Sequence, residues 1–189
     1  LRATDLPVRA LMSGSVASAL STLTLSWLCH RDGGALASGT NATSHWFWGE
    51  TARYRDAPSL RHTLLGYAIH HASSVFWACG FERLAGRRAR PARIAAAAGL
   101  TAALAYVVDY HVVPRRLTPG FERHLPASGM LATYVAFAVG LCLGSRACRR
   151  GVVKLARRVA RPARRAVRAA PATRTTAPAA PAPPPRSRD

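Results

Sequence analysis

The residues best suited to chemistry sit in an unusual place. Seven histidines are present. Two of them, His70 and His71, are adjacent within Gly66-Tyr67-Ala68-Ile69-His70-His71-Ala72-Ser73-Ser74-Val75-Phe76-Trp77, a run without formal charge. Imidazole exchanges protons near neutral pH and is the commonest metal-binding side chain. On a helix, Thr63, Tyr67, His70, Ser74 and Trp77 recur at spacings of three and four and so share one stripe. His71 flanks it, turned about 100° from His70. A second polar set, Tyr106, Asp109 and His111, ends another apolar run, and Thr133 with Tyr134 falls in a third.

Three chemistries are open to such a set. A b-type haem needs imidazoles from two helices at one depth. His70 lies about 13 Å from its helix end at 1.5 Å per residue, whereas His30 and His111 lie near theirs, which disfavours haem. A divalent metal or proton site would join His70 or His71 to Asp109, His111 and His62. Asp109 and His111 stand about 200° apart on an intact helix, so they converge only if Pro114 unwinds its end. The third is a structural polar core of His70, His71, Tyr67, Tyr106, Asp109, Thr133 and Tyr134, in which interhelical hydrogen bonds contribute about 0.6 kcal/mol each. The candidate polar site is therefore His62, Tyr67, His70, His71, Tyr106, Asp109, His111 and Tyr134. No nucleophile with its base, phosphate-cradling glycine loop or His-Glu-x-x-His spacing is present, so neither catalysis nor a resident cofactor is expected. Metal or haem b remains the alternative.

The elements carrying these residues are long and apolar. Crossing a bilayer by helix takes about 20 predominantly apolar residues, because lipid offers the backbone no hydrogen-bond partners. Four runs qualify, Leu11 to Cys29, Thr63 to Phe81, Ile94 to Val113 and Ser128 to Gly144. The corresponding spans cover about residues 9–29, 62–82, 94–113 and 128–146, by this length rule. The second is the most polar and requires its His-Ser-Tyr stripe to face neighbouring helices. Gly140 and Gly144, with Gly14 and Ser18, are small-residue pairs that permit close helix approach. The first run is longer than the apolar region of a cleavable signal peptide, so it is read as a retained span.

Charge sets the orientation. The chain of 189 residues carries 27 Lys and Arg against 8 Asp and Glu, a formal charge of +19. Thirteen basic residues follow Ser145. The link Glu82 to Arg93 is also densely basic, while the loops after the first and third spans mix both signs. Retained cytoplasmic segments are enriched in Lys and Arg, which places both termini and the 82–93 link inside. His30, His45, His62, His111, His124, Asp109 and Glu122 then gather toward the outer ends. His45-Trp46-Phe47-Trp48 reads as a short element at the outer interface, where amphipathic rings are favoured. Asn41-Ala42-Thr43 matches a glycosylation acceptor pattern. Thr118-Pro119 reads as a helix start.

Residues 149–170 read as a basic helix that meets anionic lipid headgroups through Arg149, Arg150, Lys154, Arg157 and Arg158. Residues 171–189, rich in Ala and Pro, read as disordered. Without aromatic interleaving, nucleic acid is not an expected partner. The four cysteines contain no C-x-x-C pair, and a structural disulfide is not expected.

Three stretches, His45-Trp46-Phe47-Trp48-Gly49-Glu50, Gly66-Tyr67-Ala68-Ile69-His70-His71 and Val108-Asp109-Tyr110-His111-Val112-Val113-Pro114-Arg115-Arg116-Leu117-Thr118-Pro119-Gly120-Phe121-Glu122, carry a resemblance. Together they resemble small multi-pass bacterial inner-membrane proteins without an assigned activity, over Leu11 to Gly144. The resemblance implies a multi-pass inner-membrane protein, and heavy Ala and Arg usage suits a high-GC bacterium.

The expectation is an all-α, four-transmembrane-helix bundle at residues 1–148, both termini cytoplasmic, with a basic C-terminal tail. The bilayer is its surrounding partner and a homo-oligomer a further one. Its polar His/Asp/Tyr core would serve binding, transport or envelope support, and a metal- or haem-binding redox subunit is the competing class.

Overall fold

In the computed structural model, backbone is described for residues 5–169 and side chains for residues 6–151. The chain forms two compact units, Leu1–Val152 and Val153–Asp189. The expected disordered tail and the lipid-facing roles of Lys154, Arg157 and Arg158 fall outside the described residues or side chains.

Six α-helices follow in order: α1 (Asp5–Arg31), α2 (Ser38–Thr43), α3 (His45–Trp48), α4 (Leu65–Ala85), α5 (Pro91–Val107) and α6 (Ala127–Ala169). Short 3₁₀ turns at Glu50–Tyr54, Arg115–Leu117 and Phe121–Arg123 fill the loops, and no strand occurs among the described residues. The starts and stops have local causes. Pro91 occupies the first turn of α5, where its missing N–H costs nothing. Gly86, at φ 79°, ends α4 in a conformation a Cβ would oppose. Two helix ends widen to a π turn, Leu60–Leu64 ahead of α4 and Val108–Val112 after α5. The second lies just before Pro114, which cannot continue the helix. The unwinding envisaged at this end is thus a widened turn.

Among the described residues, three segments are long and apolar enough to cross a membrane: Leu6–Arg31, Pro91–Val112 and Ala127–Gly151. The 21-residue α4 has the length but not the hydropathy, because His70, His71, Ser73 and Ser74 interrupt it. The expected count of four spans is therefore met in length at four helices and in apolarity at three. The outward faces explain what the averages conceal. Leu131, Val135, Val139 and Leu143 form an exposed stripe at four-residue spacing on α6, as do Leu100 and Leu104 on α5. On α4, Ala68, Ala72, Phe76, Gly80 and Leu84 form an exposed stripe at four-residue spacing without polar side chains, and Arg83 is exposed in the last turn. Such stripes suit a hydrocarbon surround.

Small residues bring the helices together. An added Cβ at Gly144 would lie 2.6 Å from the Ser13 Cα, one at Gly14 would lie 2.7 Å from the Val75 Cα, and one at Gly140 would run into the Ala17 Cα. Helix α1 is consequently pressed between α4 and α6, the close approach that small residues permit. The main core joins Ala10, Ala17, Phe81, Ala98, Ala102, Phe137 and Leu141 from all four long helices. At one end of the bundle lie the connection 86–90 and the start of α1. At the other, residues 32–64 and 113–126 form an ordered cap.

Candidate functional site

The cap begins with side chains that replace missing backbone partners. Asn41 is fully buried. Its Nδ2 donates to the carbonyls of Arg55 (2.8 Å) and Ala57 (3.0 Å), and its Oδ1 accepts from Thr63 Oγ1 at 2.6 Å. This engagement removes Asn41 from any glycosylation role. The Gly66 Cα packs directly on the Thr40 carbonyl, leaving no room for a Cβ, so α2 lies against the start of α4.

Arg53 is the centre of the cap. It is 4% exposed, and its guanidinium spans both loops. The Nη2 donates to His45 Nε2 (2.7 Å), the Arg115 carbonyl (2.8 Å) and Thr118 Oγ1 (3.3 Å). The Nη1 reaches Glu122 Oε1 at 3.4 Å, and the Nε lies 3.5 Å from Glu50 Oε1. His45 Nδ1 meets the Ala42 carbonyl at 2.7 Å, an acceptor, so that nitrogen carries the proton and Nε2 is free to accept from Arg53. His124 Nε2 donates to the Arg53 carbonyl at 2.8 Å, and Trp46 Nε1 to the Thr118 carbonyl at 3.0 Å. Thr118 does not start a helix as expected. Its hydroxyl serves this network, and the turn begins after Gly120, whose φ of 91° suits glycine.

Beneath the cap lies a cavity of about 370 Å³ between α1, α4, the α5 end and α6. Its polar lining includes Ser21, His70, Asp109 and Tyr134, and its aromatic lining Trp46, Phe76, Trp77, Phe121 and Phe137. Ser21 Oγ is 2.9 Å from His70 Nε2 and 2.8 Å from the Ala17 carbonyl. If the hydroxyl proton goes to the carbonyl, His70 Nε2–H donates to Ser21, tying α4 to α1. Tyr134 donates to Asp109 Oδ2 at 2.7 Å, tying α6 to the π turn. His70, which had no evident partner by depth, thus has one in Ser21, and Asp109 lines the same cavity.

The other candidates divide. His71 stacks on Tyr67 at 5.9 Å, with its Nδ1 buried and unpartnered, and neither lines the cavity. Tyr106 contacts Tyr134 at 5.4 Å and His111 at 5.9 Å between ring centroids, and neither Tyr106 nor His111 lines the cavity. His62 sits in the cap, 3.1 Å from Ser44 Oγ through Nδ1 and against Trp48 at 6.5 Å between ring centroids. Partial burial, then the charges of Arg61 and Arg55, hold the His62 imidazole below its ordinary value. Among the described residues no three His, Cys, Asp or Glu side chains are placed to hold a metal, and the cavity presents a single imidazole.

At the opposite end, Glu82 is fully buried between two arginines, with Arg149 Nη2 at 2.9 Å and Arg9 Nε at 3.5 Å. Arg149 also donates to Ser145 Oγ (3.0 Å) and to the Arg87 carbonyl (2.6 Å). Arg149, expected on the lipid surface, is turned into the bundle, while Arg150 is exposed. Comparison with family models, with curated proteins and with solved structures gives no match.

Proposed function

We propose that the chain is a small four-span membrane protein that binds a largely apolar small molecule in its cavity and orients it by a few polar groups. The carrying observation is the composition of that cavity: aromatic and aliphatic walls with Ser21, His70, Asp109 and Tyr134 among its polar groups. Small-molecule sites are typically apolar concavities of about 300–1,000 Å³ with a small number of placed polar groups. The exposed apolar stripe of α4 supports counting it as the fourth span, with its histidines turned to neighbours. The arginines of residues 83–93 and of the α6 end support a cytoplasmic side for both termini. A bacterial inner membrane agrees with the resemblance carried by the three sequence stretches.

The test uses the full chain in nanodiscs of zwitterionic lipid and the neutral fluorophore N-phenyl-1-naphthylamine. Saturable binding above that of empty discs is expected. Ala72→Trp, placed at the exposed side of the cavity lining, should weaken it at least about tenfold, the effect of about 1.4 kcal/mol. Equal partitioning into loaded and empty discs refutes the reading. Reporter fusions in the first loop and tail test orientation, and an external tail overturns it.

A further inference from the structure

We infer that the cavity is built for a lipophilic cation, an organic molecule with an apolar body and one positive charge, seated against Asp109 and the aromatic wall. The inference rests on the binding role proposed for this cavity and names its ligand class.

The first observation is where charge has been placed. In a chain with 27 Lys and Arg against 8 Asp and Glu, no Lys or Arg lines the cavity and one acid does. The second is how the acids are partnered. Asp32 pairs with Arg31, Glu50 and Glu122 with Arg53, and Glu82 with Arg9 and Arg149. Asp56 accepts from Ser38 in the cap. Asp109 has no cation beside it among the described residues. Its Oδ2 accepts from the neutral Tyr134 hydroxyl, and its Oδ1 accepts no hydrogen bond among the described residues and is not fully buried, on a residue that lines the cavity. A carboxylate without a counter-charge in a membrane-spanning segment is expensive and marks a functional site by default.

The third observation is the wall. Trp46, Phe76, Trp77, Phe121, Tyr134 and Phe137 surround the same space. Aromatic faces attract cations through their quadrupole, more strongly where water is excluded. His70, the one imidazole of the cavity lining, directs Nε2 to Ser21. An anion entering here would meet a carboxylate and negative ring faces with no Arg or Lys to offset them. A neutral ligand would leave Oδ1 unused.

Tetraphenylphosphonium and tetraphenylborate share one shape and carry opposite charge, so displacement of N-phenyl-1-naphthylamine by each isolates the sign of charge. The measurement uses the full chain in zwitterionic nanodiscs. The phosphonium should displace the fluorophore at a concentration at least tenfold below the borate, although the chain's net positive charge favours the borate elsewhere on its surface. Asp109→Asn should weaken phosphonium binding tenfold or more, a larger factor than it imposes on the neutral fluorophore. Tyr134→Phe, which releases Oδ2, should strengthen phosphonium binding. Equal displacement by both ions, or an Asp109→Asn variant that binds the phosphonium as before, overturns the inference. Fluorophore binding that persists in that case keeps the cavity reading, whereas loss of all binding by the native chain removes both. The ion pair needs no variant, so misfolding of Asp109→Asn leaves the comparison intact.

Discussion

Replacing Arg53 by Met keeps most of the buried stem and removes the guanidinium that joins the two cap loops. The groups it leaves behind set the cost. The Arg115 carbonyl still accepts from Thr118 Oγ1 at 3.0 Å, so it stays satisfied. The Glu50 side chain is 65% exposed, so it is rehydrated and its ion pair contributes about 0–1 kcal/mol. That of Glu122 is 26% exposed with Oε2 buried and unpartnered, so losing its cation costs about 1–3 kcal/mol. The same holds for His45 Nε2. Its residue is 2% exposed, and an orphaned buried acceptor costs about 1–3 kcal/mol. Together these losses weaken the cap by about 2–7 kcal/mol, a rise in its opening equilibrium of roughly 30-fold or more at about 1.4 kcal/mol per decade. Hydrogen exchange in nanodiscs, followed over residues 38–64 and 113–126, reads that opening directly. Arg61→Met is the control. Its guanidinium lies 4.2 Å from the Trp48 ring centroid on an exposed surface, where substitutions usually change stability by within about 0.5 kcal/mol. Equal exchange in the two variants would falsify the assignment of Arg53 as the cap's tie.

Two further perturbations probe the bundle and the cap separately. Gly140→Val pushes methyl groups into the α1 backbone at Ala17, and overpacking of that kind costs typically about 1–3 kcal/mol. Detergent-solubilised protein should lose thermal stability accordingly, whereas Gly151→Val, in open space, should not. For His62 the folded state resists protonation, so the stability it contributes is present above its ordinary value near 6.5 and is lost as pH falls below it. Exchange over residues 59–64 should therefore quicken, beyond the intrinsic rate change, between pH 7.5 and 5.5. His62→Asn should abolish that difference, and its persistence would refute the role.

The helices were legible because helical periodicity and apolar run length are local properties. So was the inward stripe of α4, since polar groups in an apolar run have to find partners. What the sequence concealed was the partnership of single charges. Arg53 and Glu82 lie in stretches whose basic and acidic residues serve as orientation signals when counted together, and counting cannot distinguish a solvated charge from a buried one. Arg53 precedes its partners at Arg115, Thr118 and Glu122 by more than sixty residues, a separation that no periodicity reports. Ser21, the partner of His70, carries no signal among the many serines of α1. Depth along ideal helices separated His70 from Asp109. The cavity brings them to one space because it extends along the bundle and because the π turn at Val108–Val112 alters where the end of the helix points.

The arginine pair around Glu82 also imposes an order in time. Arg9 has been synthesised before Glu82, and Arg149 follows it by 67 residues. At about 5–20 residues per second, the ribosome needs about 3–13 s to make that interval. During it Arg9 is the one of the two cations available to the carboxylate, and α1 with α4 can close as a hairpin before α6 exists. The last helix then enters with Arg149 as the completing charge. A chain stalled before residue 149 should hold a hairpin whose carboxylate has Arg9 as its one cation, and the arrival of Arg149 completes the pair.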